Sequence, residues 1–141
     1  MVIHQLRSED LKRGESLAKT LEDFGSFIAG AVLVGHFVNI DLEVLRKELG
    51  GSRHELDNPA IDTARVHHWI VRHGHHSEDL SVHLERLDLA TLAKYYGLEV
   101  KDAHHALSDA LLTAELWQRM IPILQKKGIR KLKPLLRIAS I

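Results

Sequence analysis

The sequence predicts an α/β domain in which helices predominate and about two short strands remain. Most of its 141 residues fall in segments whose apolar side chains recur every three or four positions, as they do along amphipathic helices. Two short apolar runs, "AVLVG" at 31–35 and the start of "AIDTARVHHWIVRH" at 60–73, have instead the length and the β-branched content of strands. A chain of this length is long enough to bury a substantial core.

The first helix is predicted from "ESLAKTLEDFGSFIAG" at 15–30, with its end near Gly30. Its apolar positions are Leu17, Leu21, Phe24, Phe27 and Ile28. The strand at 31–35 that follows is predicted to be buried. The further helices are expected at about 39–49, after the strand start within 60–73, at 87–97 and at 105–124.

The predicted division of the chain is one domain over 1–125 and a basic C-terminal tail or helix over 126–141. The stretch from Lys126 to Arg137 carries six basic residues and no acidic one. Such a stretch can contact the backbone of a nucleic acid. The alternative is the solvated face of a helix.

Composition excludes several classes of protein. The sequence has no cysteine, which excludes disulfides, thiolate catalysis and cysteine-ligated zinc. Lysine plus arginine equals aspartate plus glutamate, so the net charge identifies no partner. No apolar run reaches the length of a membrane span, and the first residues lack a secretory signal pattern. We therefore expect a cytoplasmic protein.

An aspartate interrupts the apolar pattern of the helix predicted at 39–49. On a wheel of about 100° per residue, Asp41 falls inside an arc of apolar side chains. The arc consists of Ile40, Val44, Leu45 and Leu49. A buried carboxylate is costly unless it is paired or binds a metal, so this pattern predicts a partner for Asp41. Two alternatives stay open: an acid is favoured in any first helical turn, and the alternation over 38–44 also suits a strand.

A second aspartate, Asp109, occupies a similar place on the helix predicted at 105–124. It lies at the edge of an apolar face, beside Thr113 and Met120. That face consists of Ala106, Ala110, Ala114, Trp117 and Ile121. His104 stands just before this helix and could relay a proton, because the pKa of histidine lies near neutral. The alternative for His104 is an ordinary cap or surface residue.

These residues lie in motifs that resemble those of the DEDDh 3′–5′ exonucleases, the group of the polymerase III proofreading subunit and ribonuclease T. "VGHFVNID" at 34–41 resembles the second motif, and "IDT" at 61–63 resembles the short strand that follows it. "LDLATLAKYYGLEVKDAHHALSDALLTAELW" at 87–117 resembles the third motif with its preceding helix. The third motif reads His-x-Ala-x-x-Asp-Ala. Its positions are filled by His104, Ala106, Asp109 and Ala110.

The resemblance implies a ribonuclease-H-like fold and metal-dependent hydrolysis at the 3′ ends of single-stranded DNA or RNA. Two divalent ions, Mg²⁺ or Mn²⁺, would be held by carboxylates. By match to the motifs, Asp41 and Asp109 would bind the metal as catalytic residues, and His104 would be the general base. His36 and Phe37 would contact the substrate; Phe37 stands where many members carry asparagine. The alternative is a non-catalytic remnant of the same fold that binds nucleic acid or protein.

The first motif of the family, Asp-x-Glu on the first strand, has no counterpart in this sequence. We therefore expect a partial exonuclease domain, N-terminally truncated, that is weakly active or inactive alone. The strand at 31–35 would have an unpaired edge, and the helical faces that cover the sheet would lose their partner. Because exposed edges and apolar patches promote self-association, we expect a homodimer.

Six of the eleven histidines fall within 67–83. They are His67, His68, His73, His75, His76 and His83. They could bind zinc or nickel, but their spacing matches no compact ligand motif, so a polar helix end followed by a loop is preferred. Trp69 and Trp117 could stack on bases. For Trp117, its place on an apolar helix face favours core packing.

Overall fold

A computed structural model describes residues 14–49, 56–74, 87–101 and 105–139, together with the single positions 9 and 12. Helices predominate over two short strands in these residues, which confirms the predicted α/β class. The strands are β1 (Leu33–Gly35) and β2 (Ala60–Asp62). The helices are α1 (Leu17–Ile28), α2 (Asn39–Leu49), α3 (Thr63–Arg72), α4 (Leu89–Tyr95), α5 (Ala106–Lys126) and α6 (Leu132–Ala139).

The two strands form a parallel pair connected through α2. The paired residues are Leu33 with Ala60, Val34 with Ile61 and Gly35 with Asp62. A Cβ atom at Gly35 would lie 2.5 Å from Cγ2 of Val38, so only glycine lets the chain turn from β1 towards α2 without a clash. Since parallel strands end at the same edge of a sheet, the starts of α2 and α3 lie on one side of the domain.

The main core lies between the sheet and the helices α3 to α6. Its buried members are Ile61, Val66, Ile70, Leu92, Leu116, Met120, Leu124 and Ala139. A smaller cluster of Val38, Leu42 and Ala60 holds α2 against the sheet. Burial of one such aliphatic side chain contributes about 1.5–3 kcal/mol, so the larger cluster dominates the stability of the described fold.

The end of α1 is tied to the segment before β2 by Asn58. Its side-chain amide donates hydrogen bonds to the carbonyls of Ile28, at 2.7 Å, and Ala31, at 2.9 Å. The Ile28 carbonyl, at the end of α1, also accepts the Ala31 N–H at 2.9 Å, so Asn58 adds a second hydrogen bond to this helix end. Gly30, at φ +70°, takes the left-handed conformation that ends the helix where the sequence predicts.

The predicted positions of the elements are confirmed over most of the described chain. The helix Asn39–Leu49 matches the predicted helix and excludes the strand alternative for 38–44. The strand β1 lies within the predicted run but is half-buried rather than buried, because β2 is its only neighbouring strand among the described residues. On α1, the predicted apolar stripe is only partly buried: Ile28 is enclosed, whereas Phe27 is 84% exposed.

The predicted buried face of α2 is confirmed at Leu49 and wrong at Ile40 and Val44. Leu42 and Leu49 are 2% and 3% exposed, whereas Ile40 and Val44 are 62% and 57% exposed. Val38 and Leu42 pack on the sheet, and this contact fixes the rotation of the helix. Asp41 consequently lies on the exposed side of α2 and not inside an apolar arc.

The predicted apolar face of α5 is wrong at its three alanines, whereas its Trp117 packs against the core as predicted. Its alanines, Ala106, Ala110 and Ala114, are exposed. The side chains that face the core are Leu112, Thr113, Leu116, Met120 and Leu124. The larger side chains therefore set the rotation of α5, because they bury more apolar area than alanine does.

The segment over 126–141, predicted as a basic tail or helix, contains α6. This helix packs against α3 and β2, and Ala139 is fully buried. Its basic side chains Lys133 and Arg137 are exposed, as expected for the solvated side of an amphipathic helix. In the part of the chain that the structure describes, no helix combines the length and the apolar character needed to cross a membrane.

Candidate active site

Asp109 lies in the first turn of α5, where the positive end of the helix dipole favours a carboxylate. It is half-buried, and with Thr113 and Met120 it continues the buried stripe of the helix to its N-terminal end. Its backbone is held on both sides: its N–H donates to the carbonyl of His105 at 2.9 Å, and its carbonyl accepts from the Thr113 hydroxyl at 2.8 Å. The position of this acid is therefore well defined.

Asp41 lies in the first turn of α2, two residues after the helix begins, and is exposed. His104 lies outside the described residues, as do positions 102 and 103. Within the described ranges, no three His, Asp or Glu side chains come together as a group that could hold a metal ion. A shared metal cavity between Asp41 and Asp109, with His104 at its rim, therefore stays a prediction.

His36 ties the end of β1 to two other parts of the chain. Its Nε2 is hydrogen-bonded to the carbonyl of Leu87, and its Nδ1 lies 2.9 Å from the hydroxyl of Thr63. Because a carbonyl can only accept, Nε2 carries the proton, and in the neutral ring Nδ1 accepts from Thr63. Both ring nitrogens are thus engaged, which fixes the imidazole beside the starts of α2 and α3.

Burial lowers the pKa of the His36 ring below its usual 6.5, although the Leu87 hydrogen bond and the nearby Asp62 and Asp88 act in the opposite direction. The unfolded chain therefore binds this proton more tightly than the folded one. The stability that the neutral ring contributes is present in full above pH 6.5. It is lost as the pH falls through the lower pKa that the ring has in the folded protein. The ring is consequently neutral in the folded protein near neutral pH.

We expect the free energy of unfolding to fall less steeply with decreasing pH in His36→Gln than in the parent chain. Urea unfolding at several values between about pH 8 and about pH 5 measures this difference. Gln118→Asn, at an exposed position of α5 and without a titratable side chain, is the control and should follow the parent slope. Equal slopes in the parent and His36→Gln would contradict the neutral, buried state of His36.

Phe37 adopts an unusual backbone conformation at the turn between β1 and α2. Its φ is +52°, a left-handed value that is rare for a bulky residue and commoner for asparagine. Its side chain is 42% exposed, with its ring centroid 4.5 Å from that of His36. The turn is closed by a hydrogen bond from the Ile40 N–H to the Phe37 carbonyl. The local fold therefore accepts asparagine at this position more easily than phenylalanine.

Phe37→Asn is expected to raise the urea midpoint of unfolding. Relief of the left-handed conformation is worth about 1–2 kcal/mol at most, and loss of the contact with His36 offsets part of it. Phe37→Leu is the matched control, since leucine keeps the strain and should give no gain. Because both variants lose the ring contact, a lower midpoint for Phe37→Asn than for Phe37→Leu would contradict the proposed relief of backbone strain.

The sequence motifs did not predict the roles of Asp62 and Thr63, which lie next to His36 in the structure. Asp62 is 3% exposed and caps α3 by accepting the Ala64 N–H at 2.8 Å. Thr63 is fully buried and contacts Nδ1 of His36. The signal was present, because an aspartate directly before a helix is a preferred N-cap residue.

The described histidines of the 67–83 cluster lie in different surroundings. His67 is 1% exposed, with Nδ1 3.1 Å from the Tyr96 hydroxyl, so its assignment to a polar helix end is wrong. It lies on the core face of α3, one turn from Thr63 and Ile70. His73 stacks on Trp69, with ring centroids 4.4 Å apart. His75, His76 and His83 lie outside the described residues.

An open groove of about 850 Å³ lies beside the start of α2 and along α3. Phe37 and Asn39 line it at α2. The lining side chains of α3 include Arg65, His68, Trp69 and Arg72. A second, more apolar cavity of about 360 Å³ lies between the sheet, α5 and α6; Trp117 lines it and packs against the core.

Comparison with known proteins gives a consistent result. The profile of the RNase T exonuclease family matches residues 1–117. The DNA polymerase III subunit epsilon of Treponema pallidum is 32% identical over 120 residues, covering 84% of this chain and 52% of that protein. The corresponding subunit of Aquifex aeolicus is 27% identical, over 75% of this chain and 48% of that protein.

A PolC-type DNA polymerase III from Caldanaerobacter subterraneus is 28% identical over 85% of this chain, but only 8% of that much longer protein is covered. The chain thus spans about half the length of the two epsilon subunits and a small part of the PolC-type polymerase. The family match nevertheless extends over most of the sequence and includes the helices that carry Asp41 and Asp109. This chain belongs to the RNase T family of exonucleases, with their ribonuclease-H-like α/β architecture.

Proposed function

We propose that this chain is part of a 3′–5′ exonuclease that hydrolyses phosphodiester bonds at the ends of single-stranded DNA or RNA with Mg²⁺ or Mn²⁺. The observation that carries the proposal is the half-buried Asp109, in a motif position of the family and fixed at the start of the longest helix. The names of the relatives, DNA polymerase III subunits, favour DNA over RNA. We also propose a cytoplasmic location.

In this proposal Asp41 and Asp109 bind metal, and His104 is the general base that accepts a proton from the attacking water. Carboxylate oxygens are ligands of the kind that Mg²⁺ and Mn²⁺ prefer. Two carboxylates are too few for a pair of ions, and the described residues supply no group of three. When bound, such ions stabilise the attacking and leaving oxygens of the displacement. The missing ligands would be those of the family's Asp-x-Glu strand.

In this proposal His36 and Phe37 contribute to the site beside the metal-binding Asp41 and Asp109. The engaged nitrogens of His36 support a positioning role, in which the ring fixes the turn that presents α2. The part-exposed ring of Phe37 supports contact with a substrate base, because an aromatic face stacks on any base.

The proposed assembly is a homodimer. Among the described residues β1 has one strand neighbour, so its other edge offers unpaired N–H and carbonyl groups. Apolar side chains are also exposed on α5, where Leu107 and Leu111 are 74% and 61% exposed. Light scattering should give the mass of a dimer or a larger species. A monodisperse monomer at high protein concentration would argue against this assembly.

Binding of Mn²⁺ by the chain tests the metal assignment without requiring activity. Isothermal titration calorimetry should show weak binding that is lost in Asp109→Asn and in Asp41→Asn, because affinity for hard cations follows ligand charge. Asp57→Asn, an exposed aspartate before β2, is the control and should bind like the parent. Equal binding by all four proteins would refute the assignment and favour the non-catalytic alternative.

A further inference from the structure

The groove along α3 presents positive charge to solvent. Its arginines, Arg65 and Arg72, come from exposed positions of α3, and the exposed His68 lies between them. The spacing of three and four residues places these side chains on one face of the helix. Asp62 is the one carboxylate among the lining residues, and it is buried and engaged as the cap of α3. Among the described residues, Arg72 therefore gives the exposed part of the groove a positive charge.

A preformed aromatic surface lies in the same groove. The rings of Trp69 and His73 stack with an interplanar angle of 20°. Nδ1 of His73 donates to the Trp69 carbonyl at 2.9 Å, and the Lys127 ammonium donates to the His73 carbonyl at 2.6 Å. These contacts hold the two rings in place before any ligand arrives. A rigid aromatic surface beside cations is the combination that binds single-stranded nucleic acid.

The groove extends from α3 to the turn that precedes α2. Phe37 and Asn39 form its wall at the start of α2, and Asp41 lies two residues further along the same helix. A ligand in the groove would therefore extend from the stacked rings of α3 to the start of α2. Neither Asp41 nor Asp109 lines the groove itself.

We propose that this groove binds the backbone of the single-stranded nucleic acid on which the exonuclease acts. Arg72 and His68 contact phosphates, while the stacked surface of Trp69 and His73 contacts a base. The inference rests on the proposed exonuclease function, which identifies nucleic acid as the anionic ligand. An acidic protein segment would also match the positive charge of the groove. Competition with polyglutamate, described below, distinguishes such a segment from nucleic acid.

Fluorescence anisotropy of a labelled oligothymidylate of about 16 nucleotides, in EDTA, measures binding by the full chain without cleavage. We expect Arg72→Gln to weaken binding about three- to tenfold at low salt and to reduce the salt slope by about 0.7, the value for one lost phosphate contact. Arg119→Gln removes the same charge from an exposed position of α5 outside the groove. It should leave affinity and slope close to those of the parent.

His68→Glu is the second variant and should weaken binding further, because it places a negative charge in the groove. Circular dichroism confirms that each variant is folded. The inference is overturned if the parent chain fails to bind the oligothymidylate, if Arg72→Gln and Arg119→Gln weaken binding equally, or if polyglutamate displaces the oligonucleotide at equal charge concentration. The anisotropy assay uses no metal. A parent chain that binds the oligothymidylate but does not bind Mn²⁺ would therefore contradict the exonuclease proposal and not the groove proposal.

Discussion

The 141-residue chain alone is expected to digest labelled single-stranded DNA or RNA poorly or not at all, even in millimolar Mn²⁺. Two divalent ions bring four positive charges, whereas Asp41 and Asp109 supply two negative ones, and a histidine that acts as base must be neutral. Metal affinity should therefore be low, because it depends on the number and charge of the ligands. Catalysis should be lost with it, since both ions are needed to clamp the two oxygens of the displacement.

Denaturing gels of a 5′-labelled oligonucleotide over a range of protein concentrations measure this activity. Asp109→Ala is the control for contaminating nuclease, because digestion that persists in this variant does not arise from the proposed site. Robust digestion by the parent chain that disappears in Asp109→Ala would show that the chain provides a complete site by itself. That result would make the expected shortage of ligands wrong while supporting the role of Asp109.

Leu116→Ala is expected to have the largest effect on stability of any single truncation in the core. Leu116 is fully buried on α5, in the centre of the main core. Truncation of a buried leucine costs about 2–5 kcal/mol, which is a large fraction of the roughly 5–15 kcal/mol that stabilises a small domain. We expect the urea midpoint to fall strongly, and the chain to be partly unfolded at 37 °C if the parent stability is low.

Leu111→Ala is the matched control, because it makes the same truncation on the same helix at a position that is 61% exposed. Its free energy of unfolding should stay within about 0.5 kcal/mol of the parent. The comparison is made at low protein concentration, where self-association contributes little. Equal destabilisation by the two variants would mean that the orientation of α5 is not the one described.

The order and the approximate bounds of the elements could be predicted from the sequence, because each has its own local signal. Gly30, Gly97 and Gly128, all at positive φ, end or follow helices at predicted breaks. The short apolar runs that become β1 and β2 were separated from helices by their length and their β-branched content. These signals need no knowledge of what each element packs against.

The rotation of the helices could not be predicted in the same way. In α2, Ile40 and Val44 form one apolar side while Leu42 and Leu49 form another, so the sequence allows two orientations. The position of the sheet decides between them, because Leu42 packs beside Ala60 of β2. Asp41 was assigned to the wrong side for this reason, although its place in the first turn of α2 was predicted correctly.

Part of the candidate site could nevertheless have been predicted from the sequence. Arg65, His68 and Arg72 have the spacing of one helical face, and Thr63, Val66, His67 and Ile70 have that of the opposite, buried face. Recognising that these two sets share a helix would have placed His67 in the core and the arginines at the surface. The grouping of the histidines by proximity in sequence obscured this pattern.

The most direct test of the metal-dependent exonuclease site is digestion by a form of the protein that is extended at its N-terminus with an Asp-x-Glu strand of the family. With Mn²⁺, a 5′-labelled single-stranded DNA should shorten progressively from its 3′ end. Asp109→Ala should reduce this digestion to background, and Asp57→Ala should leave it unchanged. Digestion that is insensitive to Asp109→Ala, or that persists in EDTA, would contradict the assignment of Asp109 as a metal ligand.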